Sequence, residues 1–188
     1  MLEEINKTVA ALKEGKVILY PTDTIWGLGC LATNEEAVRK LLQVKNRPDD
    51  KGLIIIISRI EQLYDYVNKI PEIAWDIVEF AEKPLTVVYP GGRNVAAPVL
   101  GADGSIAIRL VKDEFCKKLI DKLGKALVST SANISGEPSP NDYSQVSDAI
   151  KERVDYIVNW RQGEKSSRSV ASTIMRIDLD GTVKFIRK

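Results

Sequence analysis

Apolar and polar residues along this chain follow two alternating periods, one helical and one extended. The first helical stripe is formed by Leu2, Ile5, Val9 and Leu12. It predicts an amphipathic helix over about residues 2–14, with Gly15 as its C-terminal stop. Residues 17–20 follow as an uninterrupted apolar run, which is typical of a buried strand.

The same alternation continues to the end of the chain. Helices are predicted over residues 33–45, from residue 58, from Pro71, over 113–123 and over 143–153. Strands are predicted over residues 53–57, 85–89, 105–110, 126–128 and 156–158, followed by a hairpin that turns at Asp180 and Gly181. This alternation is typical of an α/β fold, and the closing hairpin makes the sheet mixed. We therefore expect one domain over residues 1–188, a twisted open mixed sheet flanked by helices.

Two further details of the helices can be predicted. Capping boxes have the spacing of Thr33 with Glu36 and of Ser58 with Glu61. The helix that opens at Pro71 is expected to face the core with Ile73, Ile77 and Phe80.

Composition and charge narrow the classes of function. A chain of 188 residues with 44% apolar side chains suits a single globular domain. Lys and Arg number 27 against 26 Asp and Glu, a net charge of +1, unlike the basic balance of proteins that bind phosphate backbones. The chain has no histidine, which excludes Ser-His-Asp and Cys-His catalysis and His-ligated zinc.

The cysteines and the termini bear on the compartment. Cys30 and Cys116 cannot build a disulfide framework and lack metal-ligand spacing, so we expect reduced, buried thiols in a cytoplasmic protein. The acidic, amphipathic N-terminus predicts no cleaved signal peptide. The longest apolar run, residues 53–57, is far shorter than the roughly 20 residues of a membrane span, so no membrane partner is expected.

Polar stretches interrupt the pattern at three places where open α/β sheets bind ligands. The first, residues 20–29, carries Thr22, Asp23 and Thr24 directly after a strand. Its two glycines allow a close approach of the backbone. These side chains either bind a small polar ligand or form an ordinary polar turn.

The second stretch is a basic turn, residues 45–53, between a helix and a strand. Lys45 and Arg47 are two positions apart before Pro48, so an extended backbone would place both cations on one side. A lysine point charge beside an arginine fork suits a phosphate chain. A solvated helix end, with Lys45 near the negative end of the helix dipole, would explain the same residues.

The third stretch, residues 129–138, begins with four hydroxyls and the amide of Asn133 within seven residues. These neutral donors either surround a phosphate, ribose or base, or cap their own turn. Arg109, near the end of its strand, either clamps a carboxylate or phosphate or lies on the surface. The P-loop, the dinucleotide fingerprint and the kinase loops are absent from the sequence, so a bound nucleotide would be held in another way.

Taken in this order, the stretches resemble the YrdC-like family of threonylcarbamoyl-AMP synthases over nearly the whole chain. Residues 20–29 are similar to the P-T-D-T-x-Y-G-L block of that family. Lys45-x-Arg47-Pro48 is similar to its K-x-R-P block, and Ser131-Ala-Asn133 with Ser135-Gly136 to its S-x-N-x-S-G block. Pro84-Leu85-Thr86 and Ser172-Thr173 match its shorter P-L-T and S-T blocks.

This resemblance implies an enzyme, a nucleotidyltransferase that uses L-threonine, bicarbonate and ATP with Mg²⁺. Its products would be threonylcarbamoyl adenylate and pyrophosphate, for the N6-threonylcarbamoyl modification of adenosine 37 in tRNA. Lys45 and Arg47 are implied as catalytic cations, and together with Ser131 and Asn133 they would bind the nucleotide and its phosphates. The implied neighbours of the threonine or the nucleotide are Thr22, Thr24, Arg109 and Ser172. No protein ligand to a metal is expected.

The chain departs from the family pattern at three places. Trp26 stands where tyrosine is usual, Gly52 where proline usually precedes leucine, and Glu82-Lys83 where Pro-Gly usually leads into Pro-Leu-Thr. These departures concern the shape of the threonine pocket and leave the phosphate-binding residues in place. Because the resemblance stops close to residue 188, we expect the chain to lack the C-terminal domain of longer family members.

Two other classes of function stay open at this point. An RNA-binding module, for tRNA or double-stranded RNA, would bind tRNA without ATP and with a steep dependence on salt. A paralogue would keep the nucleotide pocket and carbamoylate another acceptor. For the synthase itself, the resemblance implies transient contacts with other tRNA threonylcarbamoylation proteins and at most weak binding of tRNA.

Overall fold

The computed structural model describes residues 1–48, 52–165 and 171–188. Residues 49–51 of the basic turn therefore lie outside the described residues. The described helices are α1 (Leu2–Lys13), α2 (Glu35–Val44), α3 (Leu63–Tyr66), α4 (Ile73–Glu79), α5 (Glu114–Leu123) and α6 (Asp148–Lys151). Short 3₁₀ turns lie at Ile60–Gln62, Ala97–Val99 and Tyr143–Gln145.

In the described part of the chain, nine strands form one sheet in the order β7-β1-β2-β6-β3-β5-β4-β8-β9. They are β1 (Ile18–Tyr20), β2 (Gly27–Leu31), β3 (Ile54–Ile57), β4 (Leu85–Tyr89), β5 (Ile106–Leu110), β6 (Leu127–Ser131), β7 (Tyr156–Ile157), β8 (Thr173–Ile177) and β9 (Val183–Arg187). Parallel pairs (β1 with β7, β3 with β5, β4 with β8) and antiparallel pairs occur in the same sheet. The predicted mixed α/β sheet is confirmed.

The central strands of the sheet are buried on both faces, whereas the edge strand β9 is exposed. Alternate residues of one strand point to opposite faces, so Ile18 and Tyr20 of β1 pack in one apolar cluster and Leu19 in the other. Helices α1 and α5 cover the first cluster, with apolar stripes that include Ile5 and Phe115. The central strands are thus fixed from both sides, and their polar ends hold a defined position.

Strand β2 was missing from the sequence prediction, and β6 is longer than predicted. Gly27–Leu31 pairs with β1 on one side and with β6 on the other. Gly29 is required there, because a Cβ at this position would lie 2.7 Å from the Tyr20 ring. Ser129, Thr130 and Ser131 were predicted as loop and belong to β6, where they pair with β2.

Three predictions about the helices are wrong in detail. The N-cap of α2 is Asn34, which accepts a bond from the Ala37 amide, so Thr33 with Glu36 is not the cap. Ser58 donates to Gln62 instead of forming a box with Glu61. The predicted helix 143–153 is interrupted into the 3₁₀ turn at Tyr143–Gln145 and the short α6.

The inward face of α4 also differs from the prediction. Ala74 and Val78 are buried, whereas Ile73 is 44% exposed and Phe80 is 76% exposed. The two apolar stripes of this seven-residue helix are adjacent, and the smaller side chains occupy the core.

Candidate active site

A cavity of about 520 Å³ lies where several polar segments meet, within the size range of small-molecule sites. The predicted site residues that line it are Thr22, Thr24, Arg47, Arg109, Ser131 and Ser172. They come from the loop after β1, the turn after α2, strands β5 and β6, and the residue before β8. Segments that are far apart in the sequence therefore converge on one cavity.

Lys45 and Asn133 are beside this cavity without lining it. The Lys45 ammonium donates to the carbonyl oxygen of Ser131 and, at 2.7 Å, to that of Asn133. The side-chain Oδ1 of Asn133 is 3.5 Å from the same nitrogen. In return, the Ser135 amide donates to the backbone carbonyl of Lys45 at 2.8 Å. The turn after α2 is thus tied directly to the loop after β6.

The Lys45 side chain is only 2% exposed, and this burial has an electrostatic cost. Burial first, and then the nearby Arg47 charge, lower its pKa to about 8. The carbonyl oxygens that surround the ammonium partly replace its lost hydration. An anion in the neighbouring cavity would favour the charged form of Lys45.

The backbone between Lys45 and Arg47 is not extended, so the condition under which both cations would face one side is not met. Lys45 caps α2 in the right-handed helical region and Asn46 has a φ of 49°, in the left-handed region. The two cations reach the site by different routes, since Lys45 lies under the Ser131–Asn133 backbone and Arg47 lines the cavity. The Arg47 guanidinium donates to the Gly52 carbonyl at 2.8 Å.

Asn133 has a structural role in the described contacts. Its amide nitrogen donates to the carbonyl oxygens of Ile134, at 3.0 Å, and Glu137, at 2.7 Å. These bonds fix the loop that follows Ser131. Asn133 therefore shapes the cavity from behind its wall.

A chain of polar contacts crosses the cavity wall from Arg109 to the loop after β1. Arg109 Nη1 donates to the Thr24 hydroxyl at 2.8 Å, and the Thr24 and Thr22 hydroxyls are 2.9 Å apart. Thr22 in turn donates to the Ile25 carbonyl at 2.7 Å. The Thr22 hydroxyl has one proton, and it donates this proton in the hydrogen bond to Ile25. Thr24 must therefore be the donor in the contact between the two hydroxyls.

Thr86 and Arg187 were not predicted as site residues, and Asp23 and Ser129 were predicted only as members of their polar stretches. Thr86 is buried and its hydroxyl lies 2.8 Å from that of Ser172, while Arg187 donates twice to the Ser172 carbonyl. Ser129 lines the cavity, and Asp23 forms an ion pair with Arg109. The P-L-T block was a signal for Thr86 and the run of hydroxyls was one for Ser129, but no pattern in the sequence pointed to Arg187.

Two departures from the family pattern affect the site in different ways. Trp26 is 5% exposed and packs on Tyr143, with the ring centroids 4.9 Å apart, and does not line the main cavity. Gly52 does line it, and a Cβ there would lie 2.8 Å from the Gly101 amide nitrogen. The missing side chain at Gly52 therefore lets two segments of the cavity wall approach each other.

The described residues also bear on metals, thiols and membranes. No group of three or more Cys, Asp or Glu side chains in residues 1–48, 52–165 and 171–188 is arranged to hold a metal ion. Cys30 and Cys116 are both buried free thiols, and burial raises the pKa of each. Among the same residues, no helix has the length and apolar character that crossing a bilayer requires.

The described part of the chain is a mixed α/β protein with a polar cavity of small-molecule size. The family model named for Sua5, YciO and YrdC, with the description "Telomere recombination", matches residues 10–188. The chain therefore belongs to the Sua5/YciO/YrdC family.

Several relatives carry the name threonylcarbamoyl-AMP synthase. The Vibrio vulnificus (strain YJ016) protein is 36% identical over 168 residues, which cover 88% of this chain and 90% of the relative. The Haemophilus ducreyi protein is 41% identical over 140 residues, or 73% of this chain and 76% of the relative.

Solved structures share the fold. Pyrococcus abyssi Sua5, crystallised with L-threonine, is 33% identical with a TM-score of 0.84, over 92% of this chain. The match spans 50% of that longer protein. Escherichia coli YciO has the same TM-score at 22% identity, and this likeness concerns the fold alone.

Proposed function

We propose that this chain is an L-threonylcarbamoyladenylate synthase, a nucleotidyltransferase. It would convert L-threonine, bicarbonate and ATP into threonylcarbamoyl-AMP and pyrophosphate, for N6-threonylcarbamoylation of adenosine 37 in tRNA. The observation that carries the proposal is the convergence of Thr24, Arg47, Arg109, Ser131 and Ser172 on one cavity. The names of the relatives, and the L-threonine in the P. abyssi structure, support this choice of substrates.

The chemistry needs no nucleophile from the protein. The amine of threonine captures the carbon of bicarbonate and loses water, which gives a carbamate. A carbamate oxygen then attacks the α-phosphorus of ATP, the bond to the β-phosphate oxygen breaks, and pyrophosphate leaves. Positioning and neutralisation of charge supply the catalysis, which suits a chain that has no histidine.

Two cations would neutralise charge on the phosphates of the nucleotide. Arg47 lines the cavity and is the catalytic fork that we assign to the phosphates. Lys45 adds a positive charge directly behind the Ser131 and Asn133 backbone, and its ammonium fixes the loop whose hydroxyls and amides would contact the nucleotide. In this proposal Arg47 would contact the phosphates directly, and Lys45 would act on catalysis through position and charge.

A second group of residues on the cavity wall would bind the threonine. Arg109 presents a buried positive charge to the cavity, and Thr22 and Thr24 are linked to it by hydrogen bonds. Ser172, held by Thr86, lies on the same cavity. Carboxylate recognition by a guanidinium, with hydroxyls for the rest of the amino acid, fits this set of donors.

Mg²⁺ enters the proposal with the triphosphate. Because the described residues contain no cluster of acidic side chains that would hold a metal, the ion would be bound by phosphate oxygens and water, as is usual for nucleotide substrates. When bound, it would neutralise charge on the phosphates. We also propose that residues 1–188 act as one domain in the cytoplasm, with transient contacts to other tRNA threonylcarbamoylation proteins and weak tRNA binding at most.

The test is the release of pyrophosphate by the purified protein with ATP, Mg²⁺ and bicarbonate, with and without L-threonine. We expect release that depends on L-threonine. Release without stimulation by L-threonine would reject the synthase and favour a paralogue with another acceptor. Salt-sensitive tRNA binding without any release would favour an RNA-binding module.

A further inference from the structure

The guanidinium of Arg109 is held by two consecutive residues of the loop after β1. Its Nη1 donates to the Thr24 hydroxyl at 2.8 Å, and its Nη2 lies 3.3 Å from Asp23 Oδ1. Both charged side chains are largely buried, with 5% of Arg109 and 12% of Asp23 exposed. The loop therefore contacts two of the three nitrogens of the guanidinium.

The third nitrogen of the guanidinium, Nε, makes neither of these contacts. Arg109 Nε is buried and has no hydrogen-bond partner among the described residues, although a buried N–H almost always has one. Arg109 lines the cavity. Because this nitrogen is closed off from solvent and makes no bond, the orientation of the guanidinium depends on its contacts with Thr24 and Asp23.

Asp23 is placed differently from Arg109. It is absent from the residues that line the cavity, while its neighbours Thr22 and Thr24 are among them. Its Oδ1 has the ion pair with Arg109 and no hydrogen bond within the described chain, and its Oδ2 is 3.5 Å from the Lys112 amide, at the limit of a hydrogen bond. Asp23 therefore acts on the site mainly through the electrostatic attraction between its carboxylate and the Arg109 guanidinium.

We propose that Asp23 is a positioning residue for Arg109. Its carboxylate balances the buried guanidinium and fixes the rotation of the side chain, so that Arg109 is held at the cavity wall for an anionic group of the substrate. Asp23 itself does not touch the substrate. This inference rests on the proposed function for its kinetic readout, but binding measurements test it independently.

The experiment compares Asp23→Asn with Arg109→Lys. Asp23→Asn keeps the size of the side chain and removes its charge, whereas Arg109→Lys keeps a charge and removes the planar fork. The KM for L-threonine and the KM for ATP are measured in Arg109→Lys. The substrate whose KM rises is the ligand of Arg109. We expect Asp23→Asn to raise the same KM by about tenfold, which corresponds to one lost charge-assisted contact, and to leave the other within about twofold.

Two further variants sharpen the test. Asp155→Asn is the matched control, since Asp155 is a partly buried carboxylate that pairs with Lys40 away from the cavity, and it should leave both KM values unchanged. Asp23→Glu keeps the charge and should raise the same KM less than Asp23→Asn does. If Asp23→Asn does not fold, Asp23→Glu still has to raise the KM that Arg109→Lys raises, and no change there overturns the proposal.

The double variant separates positioning from a general structural role. Because Asp23 acts through Arg109, the effects of Asp23→Asn and Arg109→Lys should be clearly less than multiplicative when combined. Multiplicative effects, or an equal rise of both KM values in Asp23→Asn, would overturn the assignment. Calorimetric titration with L-threonine and with ATP repeats the comparison without turnover, so wild-type protein that binds one ligand but releases no pyrophosphate would contradict the proposed function and not the role of Asp23.

Discussion

The ammonium of Lys45 lies 2.7 Å from the carbonyl oxygen of Asn133, although the two residues are 88 positions apart in the chain. This contact joins the basic turn after α2 to the polar loop after β6. It also explains why a lysine is buried at this position, since the backbone oxygens of the loop accept hydrogen bonds from its ammonium. The relative position of these two polar segments therefore depends on this contact.

The first prediction concerns the two cations. Lys45→Ala and Arg47→Ala should each lower the rate of threonine-dependent pyrophosphate release by about 10²- to 10³-fold, the usual effect of losing one preorganised electrostatic donor. Steady-state assays at saturating substrates measure this. Lys117→Ala removes an exposed charge on α5 and should have no effect. A parent rate in either of the first two variants would remove that cation from the catalytic assignment.

The second prediction follows from the lowered pKa of Lys45, about 8 instead of its ordinary 10.5. The folded protein binds this proton less tightly than the unfolded chain, so the burial cost is present below pH 8 and is relieved as the pH rises from about 8 to about 10.5. The free energy of unfolding of the wild-type protein should therefore rise, relative to that of Lys45→Met, across this interval. Urea unfolding at several pH values measures the difference, and parallel curves for the two proteins would contradict it.

The third prediction concerns ATP binding and the same group. Phosphate binding favours the charged ammonium, so the affinity for ATP should fall as the pH rises through about 8, the pKa of Lys45 in the free protein. Titration calorimetry on either side of this pH measures the change. The same fall in Lys45→Met would assign the effect to another group.

The fourth prediction concerns Gly52. A Cβ at this residue would meet the Gly101 nitrogen at 2.8 Å, so Gly52→Ala should destabilise the fold by about 1–3 kcal/mol and raise the KM for ATP, because both segments line the cavity. Gly163→Ala is the control, since no atom lies within 4 Å of a Cβ there, and it should stay within about 0.5 kcal/mol. Urea unfolding and steady-state kinetics test both variants, and equal stability would contradict the close approach.

The fifth prediction tests the orientation of α4. Val78 is 7% exposed, and Val78→Ser should cost about 2 kcal/mol because it places a hydroxyl in an apolar core. Phe80 is 76% exposed, and Phe80→Ser should change the free energy of unfolding by less than about 0.5 kcal/mol. The reverse order of these two values would restore the inward face that the sequence pattern predicts.

Much of the fold could be predicted from the sequence, and the errors have physical causes. Apolar runs such as that of β4 predicted strands correctly, because the period of a buried strand is visible in one segment. Strand β2 was missed because Gly29 is needed for the close approach of the Tyr20 ring, a tertiary requirement that strand propensity does not contain. The prediction of the buried face of α4 was wrong because two adjacent apolar stripes fit the same helical spacing.

For the candidate site, too, some residues could be predicted from the sequence and others could not. The hydroxyls and cations of the polar stretches were identified because their types and spacing suit an anionic ligand. Asp23 was named in its stretch, but its pairing with Arg109 spans a loop and a distant strand, and one sequence does not contain that distance. Arg187 reaches Ser172 from the sheet edge, and it lies in a strand whose pattern resembles an ordinary exposed hairpin.

The central claim, that one cavity joins an amino acid to a nucleotide through carbon from bicarbonate, has a direct test. The protein is incubated with ATP, Mg²⁺, L-threonine and ¹³C-labelled bicarbonate, and the products are analysed by mass spectrometry. Our account predicts threonylcarbamoyl-AMP that carries one ¹³C atom, formed in equal amount to pyrophosphate. Pyrophosphate with plain AMP and no labelled adenylate would contradict it.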